Sequence, residues 1–404
     1  MLLERGIIVK VNNKKILFLS YNKHQYKLFS FLVDNLQPGL AVHLTGLNSL
    51  IKGMFTNRVQ PLSQEVINQI AHYSFLKFKA RREKNEKDFI NRIYYKYLCL
   101  KTKSLYQYYY RYFSDNNIGL AVVWNGHHIE AASCVEVARL LGIKTIFMEN
   151  GFFPQTIVID EKGVNAANSL AGKGADFYQK VQIEPEKLAQ LKETKLQQRE
   201  LRKKFYGKEE MKFPKQFFFL PFQVHTDTQV LLNSPYIKNM YDLVDTVYSS
   251  LEEFNHKNNE DYWLVVKEHP SDFGRIDYSN LKKKYQKKNV VFITTALSSE
   301  LIELSRAVIT INSTVGIEAL LKRKAVITLG EAFYNVEGLV YHCTDLSRLH
   351  DYMGKAVSDK TEYKLVDKFL YFLRYEYLIE VDKKHLTKKN ILPVINRIKE
   401  VWEK

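Results

Sequence analysis

The sequence is poor in the residues that mark disordered, collagen-like or disulfide-stapled chains. It has 9 prolines and 17 glycines among 404 residues, and 46% of the residues are hydrophobic, so packed domains are expected. The three cysteines, Cys99, Cys134 and Cys343, are odd in number and lack CxxC spacing. This pattern argues against a disulfide framework or a structural zinc site, and favours small buried cysteines in a reducing compartment. At about 150 residues per domain, the length predicts two or three domains.

Long apolar runs are also missing. The run QFFFLPFQV at 216–224 has only the length of a strand, well short of the roughly 18 residues that span a bilayer. Residues 1–10 (MLLERGIIVK) lack the apolar stretch and cleavage site of a targeting signal. These absences predict a cytoplasmic protein whose membrane contact, if any, is peripheral to the inner face of the inner membrane.

Positive charge is in excess, with 60 Lys plus Arg against 44 Asp plus Glu, a formal charge of +16. Residues 75–113 hold eleven of these cations against three acidic residues, with Tyr, Phe and Leu at helical spacings between them. Two interpretations stay open: a surface for anionic lipid or a polyanionic glycan, or a helical hairpin whose charges are simply solvated. Nucleic-acid binding fits the charge, but no RRM, KH or helix-turn-helix signature supports it.

Short, almost continuously apolar runs recur along the chain, separated by helical patterns such as 129–141 and 315–321. The runs are 15–20, 119–124, 144–148, 216–220, 262–267, 290–293, 307–311 and 325–329. Strands that alternate with helices predict parallel sheets covered on both faces. The predicted class is therefore α/β, with two Rossmann-like, doubly wound domains facing a cleft.

The expected domain limits follow the grouping of these runs. An N-terminal acceptor and catalytic domain is predicted at 1–183, with a basic helical insertion at about 54–115. A polar helical linker at 184–212 precedes a nucleotide-sugar domain at 213–345, and C-terminal helices at 346–404 pack outside or cross back to the first domain. In open α/β sheets ligands bind at the carboxyl ends of the strands, so the site is sought there.

The second domain carries three polar strand ends. Lys267 and His269, in KEHP, offer two hydrogen-bond donors suited to a phosphate. The same sequence is also compatible with a turn that has a solvated Lys and a surface His. In INSTVGIEALL, Asn312 precedes Ser313 and Thr314, which can cap a helix and form an anion site, and Gly316 would let backbone approach closely. An ordinary capped helix is the alternative.

The third strand end, PFQVHTDTQ at 221–229, is dense in polar side chains, among them Gln223 and Asp227. It suits recognition of a base or sugar hydroxyls. A hydrophilic loop with Asp227 or Thr228 as a helix cap is the alternative.

The first domain offers candidate carboxylates and sugar-binding side chains. Glu149 ends one strand and Asp160 lies in the segment that follows, while Asn125, His127, His128 and Asn165 are candidates for acceptor or sugar contacts. Carboxylates that face a phosphate site across a cleft suit glycosyl transfer, although Glu149 could merely pin a turn and Asp160 could cap one. The adjacent His127 and His128 lack further ligands, so no metal site is expected.

Four ordered blocks together resemble the bacterial capsule polysaccharide synthesis family of β-Kdo glycosyltransferases, the KpsS/KpsC type. They are ENGFFPQTIVIDEKGVNAANS, PFQVHTDTQVLLNSPY, VVKEHP and VITINSTVGIEALL. The resemblance implies a GT-B-like fold, a CMP-activated 3-deoxy-octulosonic acid (Kdo) donor, retention of configuration, a glycan or lipid-linked acceptor, and no cofactor or metal.

The same resemblance implies roles for individual residues. His269 and Lys267 would meet the CMP phosphate, with His269 counted among the catalytic residues. Ser313 and Thr314, in the loop with Asn312 and Gly316, would cradle that phosphate, and Gln223 with Asp227 would line the donor pocket.

Two positions depart from the family pattern. Asn150 stands where a second acidic residue often follows the glutamate, and Phe153 stands where an arginine often precedes the proline. Asn cannot act as a nucleophile. Either Glu149 or Asp160 takes that role, or the chain uses another nucleotide-sugar donor or mechanism. A non-catalytic protein of capsule assembly or polyanion binding is the remaining alternative.

Overall fold

The computed structural model describes residues 14–56, 59–82, 88–194, 213–358, 361 and 363–404. Its strands are β1 (Lys15–Ser20), β2 (Ala41–Thr45), β3 (Ile118–Trp124), β4 (Lys144–Asn150), β5 (Thr156–Asp160), β6 (Phe217–Pro221), β7 (Trp263–Lys267), β8 (Val290–Ile293), β9 (Ala307–Thr310), β10 (Ala325–Thr328), β11 (Tyr341–His342) and β12 (Ile379–Glu380). Residues 1–10, where no targeting signal is predicted, and most of the predicted linker lie outside the described residues.

The strands form two six-stranded sheets, and the predicted α/β class with two Rossmann-like domains is confirmed. The first sheet has the order β12-β5-β4-β3-β1-β2, and the second has the order β11-β10-β9-β6-β7-β8. Apolar clusters cover both faces of each sheet, which explains why the sequences of the strands are almost continuously apolar.

The second sheet is parallel throughout, whereas the first is mixed. β5 runs antiparallel to β4, and β12 runs antiparallel to β5. β4 and β5 are joined by only 151–155, too short for the crossover that a parallel pair needs. This short connection turns the chain back at Glu149 and Asn150.

Helices flank both sheets. They are α1 (Lys23–Asn35), α2 (Gly46–Met54), α3 (Gln64–Ala80), α4 (Asp88–Asp115), α5 (Ile129–Leu140), α6 (Ala175–Gln179), α7 (Pro185–Lys192), α8 (Thr228–Leu231), α9 (Met240–Asn258), α10 (Ser279–Tyr285), α11 (Ser298–Leu304), α12 (Val315–Leu321), α13 (Leu349–Val357), α14 (Tyr363–Phe372) and α15 (Lys388–Glu403). The basic insertion comprises α2, α3 and α4, so it begins near residue 46. None of the described helices is long and apolar enough to cross a membrane.

The C-terminal region joins the two domains. α14 packs on α6, α7 and α12, and a π-helical turn then leads to β12, which pairs with β5 of the first sheet. α15 completes the first domain, because Ile391, Val394 and Ile398 are fully buried in the core of the first sheet. Of the two alternatives for these residues, the structure shows the return to the first domain, together with a short edge strand that periodicity did not indicate.

Candidate functional site

The second domain offers its strand ends at a topological switch point. β6 lies between β7 and β9: the chain adds β7 and β8 on one side of β6 and then crosses to add β9 and β10 on the other. Loops that diverge in this way open a crevice at the carboxyl edge of the sheet. The three polar segments singled out in the sequence follow β6, β7 and β9, and all three line one cavity of about 410 Å³.

Lys267 is a nearly buried cation at this edge, 7% exposed. Its Nζ donates to Ser298 Oγ at 2.8 Å. Burial lowers the pKa of Lys267 to about 8, opposed by the nearby Glu318 carboxylate. Burial likewise raises the pKa of Glu318 to about 7, opposed by Lys267 and Lys322. This wall of the cavity therefore holds an acid and a base that both titrate close to neutrality.

His269 lines the same cavity, two residues beyond Lys267. Its Nδ1 accepts the backbone N–H of Ser271 at 3.0 Å, which orients the ring and fixes the tautomer with the proton on Nε2. The loop itself is anchored by Asp272, which is buried and accepts both the backbone N–H and Nδ1 of His225. Burial and anchoring make this a preorganised turn, so the imidazole has a defined position in the cavity.

Ser313 and Thr314 also line the cavity, at the start of α12. Ser313 Oγ accepts the backbone N–H of Val315 at 3.2 Å, whereas the Thr314 side chain makes no cap hydrogen bond. Ser313 is therefore the residue that caps this turn.

Gly316 has a different role from the expected one. A Cβ at this position would lie 2.7 Å from the Tyr334 hydroxyl, and that hydroxyl donates to the Ser313 carbonyl. The glycine is needed for packing against a buried tyrosine rather than for approach to a ligand. The expectation that Gly316 contacts the donor is corrected accordingly.

Gln223 and Asn312 hold the cavity floor together. Gln223 Nε2 donates to Asn312 Oδ1 at 3.0 Å and Gln223 Oε1 accepts the Asn312 backbone N–H at 3.3 Å. Asn312 Nδ2 in turn donates to the carbonyls of Gln229, Asn233 and Glu331. Both side chains line the cavity, but the Asn312 amide is committed to joining these loops, which makes it a positioning residue.

The first domain contributes Glu149 to the opposite wall. Asn125, at φ 63°, donates its Nδ2 to Glu149 Oε2 at 2.7 Å, and the backbone N–H of Asn150 donates to Oε1 at 2.8 Å. Burial raises the pKa of the Glu149 carboxyl, these donors and Lys383 oppose the shift, and Asp227 adds to it. A fixed carboxylate with a raised pKa therefore faces the second domain.

Asp227 and Asn165 complete the predicted residues that line the cavity. Asp227 caps α8, because its Oδ1 accepts the Gln229 backbone N–H at 3.0 Å. The capping alternative is thus correct, yet it does not remove the carboxylate from the cavity. Its charge raises the pKa of Glu149, so the two domains place carboxylates close to each other.

Asp160 lies outside this cavity and is 3% exposed. Its carboxylate accepts the backbone N–H groups of Lys162, Gly163 and Ser169, the Ser169 hydroxyl and the Tyr377 hydroxyl. Five donors saturate both oxygens and tie the loop after β5 to the C-terminal segment. The assignment of Asp160 as a catalytic carboxylate is corrected: its position is structural.

His127 and His128 are likewise absent from the cavity lining. His128 Nδ1 lies 2.7 Å from Glu130 Oε2 and its ring stacks on Tyr21. His127 packs its ring against Tyr73, and burial lowers its pKa. In the described residues no group of three or more His, Cys, Asp or Glu could hold a metal ion, and metal independence stays a prediction.

Three residues of the site were not found from the sequence: Glu318, Ser298 and Lys383. Glu318 follows Thr314 by four residues in the INSTVGIEALL block, so helical spacing was a usable signal. Ser298 begins α11, five residues beyond the predicted strand 290–293, whereas Lys383 follows no strand of the predicted set. Lys383 reaches Asn150 Oδ1 from the C-terminal segment, and only the return of the chain to the first domain brings it there.

A second cavity, of about 1170 Å³, adjoins the first. It lies between α1 and the 383–384 region, and Asn150 lines both cavities. Trp124 forms part of its wall, with Lys383 Nζ 5.7 Å from the centre of the indole ring. A molecule in the second cavity would therefore reach the Glu149 region from the first-domain side.

Comparison with known proteins finds a family that is similar to the second domain. The sequence profile of the family described as "Capsule polysaccharide biosynthesis protein" matches residues 184–370, which contain all three polar strand ends of the second domain. This part of the chain is therefore similar to the capsule polysaccharide synthesis family. The resemblance predicted from the ordered sequence blocks is confirmed.

Individual relatives differ in how much of their length is similar to this chain. Protein FixF of Sinorhizobium fredii is 38% identical over 231 residues, 57% of this chain and 53% of FixF. Capsule polysaccharide export protein KpsS of Escherichia coli is 27% identical, covering 58% of this chain and 72% of KpsS. The chain thus spans about half the length of FixF.

Among solved structures, the chain is similar to KpsC, β-Kdo 2,7 transferase, of Thermosulfurimonas dismutans. The identity is 20% and the TM-score 0.45, over 72% of this chain and 89% of that one.

Proposed function

We propose that this protein is a glycosyltransferase of the capsule polysaccharide synthesis family that moves Kdo, or a related ulosonic acid, from a CMP-activated donor to a glycan or lipid-linked acceptor. The observation that carries the proposal is one cavity with a buried Lys267 and an oriented His269 on one wall and Glu149 on the other. A cation and a hydrogen-bond donor that suit a phosphate thus face a carboxylate placed to act on the sugar attached to that phosphate. The choice of CMP and Kdo rests on the ordered sequence blocks.

The second domain would bind the donor phosphate. Lys267 supplies the positive charge, and the Ser313 and Thr314 hydroxyls with His269 supply hydrogen-bond donors around it. When the bond from the sugar to the phosphate oxygen breaks, CMP leaves with the bonding electron pair. Donors that are already in place stabilise that developing charge without reorganisation.

Glu149 would act on the anomeric carbon. Its carboxylate attacks as CMP departs and forms a glycosyl-enzyme ester; the acceptor hydroxyl then displaces Glu149 and loses its proton to a base. Two inversions give retention. Asp227 is the base in this scheme, because it is the carboxylate of the same cavity that acts electrostatically on Glu149. It would supply from the second domain the acidic group that Asn150 cannot.

The acceptor would enter through the second cavity. Trp124 offers an apolar ring face for a sugar, and Lys383 and Lys384 offer positive charge for an acidic acceptor. Asn150 connects this space with Glu149. The proposal needs no metal or cofactor, and it places the chain in the cytoplasm, where CMP-activated sugars would be available.

The direct test incubates the purified chain with CMP-Kdo and a Kdo-terminated oligosaccharide, and follows CMP release and acceptor mass. Glu149→Gln is expected to lower turnover by about 10²–10⁴-fold, because it removes the reacting carboxylate. CMP should still bind, because Lys267 and His269 are unchanged. Intact-mass measurement of the wild type with donor alone should detect one added glycosyl residue, absent in Glu149→Gln.

Asp160→Asn is the matched control. It should lower the free energy of unfolding by about 3 kcal/mol, since an amide cannot accept from all five donors, but leave turnover per folded molecule unchanged. Equal loss of turnover in both variants would contradict the assignment of Glu149. If the chain transfers sugar only from another nucleotide sugar, that compound would replace CMP-Kdo as the donor. If no donor tried gives turnover, the result would favour a non-catalytic assembly protein.

A further inference from the structure

Helix α2 exposes most of its large apolar side chains, the exception being Leu50, which packs against the core of the first domain. Its buried positions are small: Gly46, Ser49 and Gly53. A Cβ at Gly53 would lie 2.1 Å from the Ser104 carbonyl oxygen, so the backbones of α2 and α4 are in contact. The opposite face and the residue that follows the helix hold large apolar side chains, namely Leu47 (69% exposed), Ile51 (51%), Met54 (69%) and Phe55 (84%).

An exposed apolar stripe on α4 extends this face. Phe89, Ile93, Tyr97 and Leu100 follow one another at intervals of three or four residues and are 48–69% exposed. Leu100 lies one helical turn before Ser104, where Gly53 of α2 crosses. The two helices therefore form one continuous surface, here called the α2–α4 face, defined by the four residues of α2 and its end and the four of α4.

Basic residues border the α2–α4 face. Arg92, Lys96 and Lys103 are exposed and repeat along the flank of the α4 stripe at near-helical spacing. Lys52 lies on α2, and Arg82 at the end of α3 stacks on Phe78, whose ring stacks on Tyr94 of α4. In α2 and in 88–103 the sequence has a single acidic residue, Asp88. The surface is thus apolar in its centre and positive at its edge.

The combination of an apolar centre with a positive border indicates what kind of partner the α2–α4 face binds. A polysaccharide presents hydroxyls and carboxylates, which would use the cations but not the exposed Leu, Ile and Met side chains. Soluble proteins rarely leave a contiguous apolar patch of this kind exposed. An anionic bilayer surface uses both parts: apolar side chains enter the boundary between headgroups and acyl chains, and Lys and Arg remain with the phosphates.

We propose that the α2–α4 face docks on the surface of an anionic lipid bilayer. The protein then lies on the membrane through two helices parallel to its plane. This inference does not depend on the proposed transferase chemistry, because none of the residues of the face lines the cavity that contains Glu149 and Lys267.

The test is co-sedimentation of the full chain with extruded vesicles, either of phosphatidylcholine alone or with phosphatidylglycerol added. Binding is expected for the anionic vesicles, weakening as salt rises because the charged part of the attraction is screened. Ile51→Gln with Phe55→Ser should weaken it at least about tenfold, as should Arg92→Gln with Lys96→Gln. These side chains face solvent, so thermal unfolding should be unaltered.

The control variant is Leu304→Gln with Leu392→Gln, two leucines about as exposed as Ile51 but on α11 and α15. It should bind vesicles like the wild type. No binding to anionic vesicles at low salt, or binding unaffected by the α2–α4 substitutions, would overturn the proposal. So would a dimer in light scattering that Ile51→Gln with Phe55→Ser dissolves, since a second copy would then cover the face.

Transfer to a soluble acceptor separates the two proposals. The α2–α4 variants should retain the wild-type rate with an oligosaccharide acceptor. A chain that binds vesicles but transfers no sugar refutes the proposed function and leaves the docking face standing.

Discussion

Lys267 and Glu318 lie on the wall of the cavity that is proposed to bind the phosphate, and their combined charge changes over a narrow pH range. Below about pH 7 Glu318 is protonated and Lys267 is charged, so the pair carries a net positive charge. Between about pH 7 and about pH 8 the two charges cancel, and above about pH 8 the carboxylate remains while the ammonium loses its proton. A bound phosphate should therefore be held more weakly as pH rises.

We predict that the dissociation constant for CMP increases by at least about tenfold between about pH 6.5 and about pH 9, a range that lies above the second pKa of the phosphate, about 6. Titration calorimetry across this range measures it. Glu318→Gln should remove the step near pH 7 and leave one step at or below about pH 8, since Lys267 loses the carboxylate that favours its charged form.

Lys267→Met is the control for this pH dependence: binding should be weak at every pH. Affinity in the wild type that is constant or rises with pH would show that Lys267 and Glu318 do not face the phosphate.

At the scale of the element, the turn from β9 into α12 depends on a glycine packed against a tyrosine. Gly316→Ala would push the Tyr334 ring, which is fully buried and donates to the Ser313 carbonyl. The expected loss in free energy of unfolding is about 1–3 kcal/mol, as for other overpacked core sites. Because Ser313 moves with the ring, CMP affinity should fall as well.

Denaturant unfolding and CMP titration of the same preparation check both effects. Gly174→Ala is the matched control, because a Cβ there meets nothing within 4 Å and the residue is not in the left-handed region. If Gly316→Ala proved as stable as Gly174→Ala, the steric role of Gly316 would be wrong.

At the scale of the whole molecule, the C-terminal residues complete a domain that begins almost 400 residues earlier. Ile398 on α15 is fully buried in the core under the first sheet, whereas Leu392 on the same helix is 52% exposed. Ile398→Ala should therefore lower the free energy of unfolding by about 2–5 kcal/mol, and Leu392→Ala by far less. The domains also meet through Tyr73 of α3, whose hydroxyl accepts from Thr228 at 2.9 Å.

Thermal and denaturant unfolding of the two alanine variants measure this difference. Similar losses in both would mean that α15 is not docked on the first sheet. A loss confined to Ile398→Ala would show that residues near the end of the chain stabilise the domain that holds Glu149.

The sequence by itself determined most strands of the two sheets and the second-domain loops that carry Lys267, His269 and Ser313. Apolar runs at 15–20 and 290–293 coincide with β1 and β8, and Lys267, His269 and Ser313 line one cavity as the parallel order requires. These predictions hold because a buried parallel strand needs a continuous apolar run and because parallel strands end at one edge. β2, β5, β11 and β12 were missed: β2, β11 and β12 lie at sheet edges, and β5 lies next to β12.

Only the tertiary structure decided which carboxylates and cations meet. Glu149 and Asp160 look alike in the sequence, yet one lines the cavity and the other is saturated by five donors from its own loop and from Tyr377. Lys383 reaches Asn150 from more than 200 residues away, and Glu318 acquires its raised pKa from burial beside Lys267. Periodicity records which face of an element is buried, whereas these pairings depend on how distant loops converge, which local sequence does not encode.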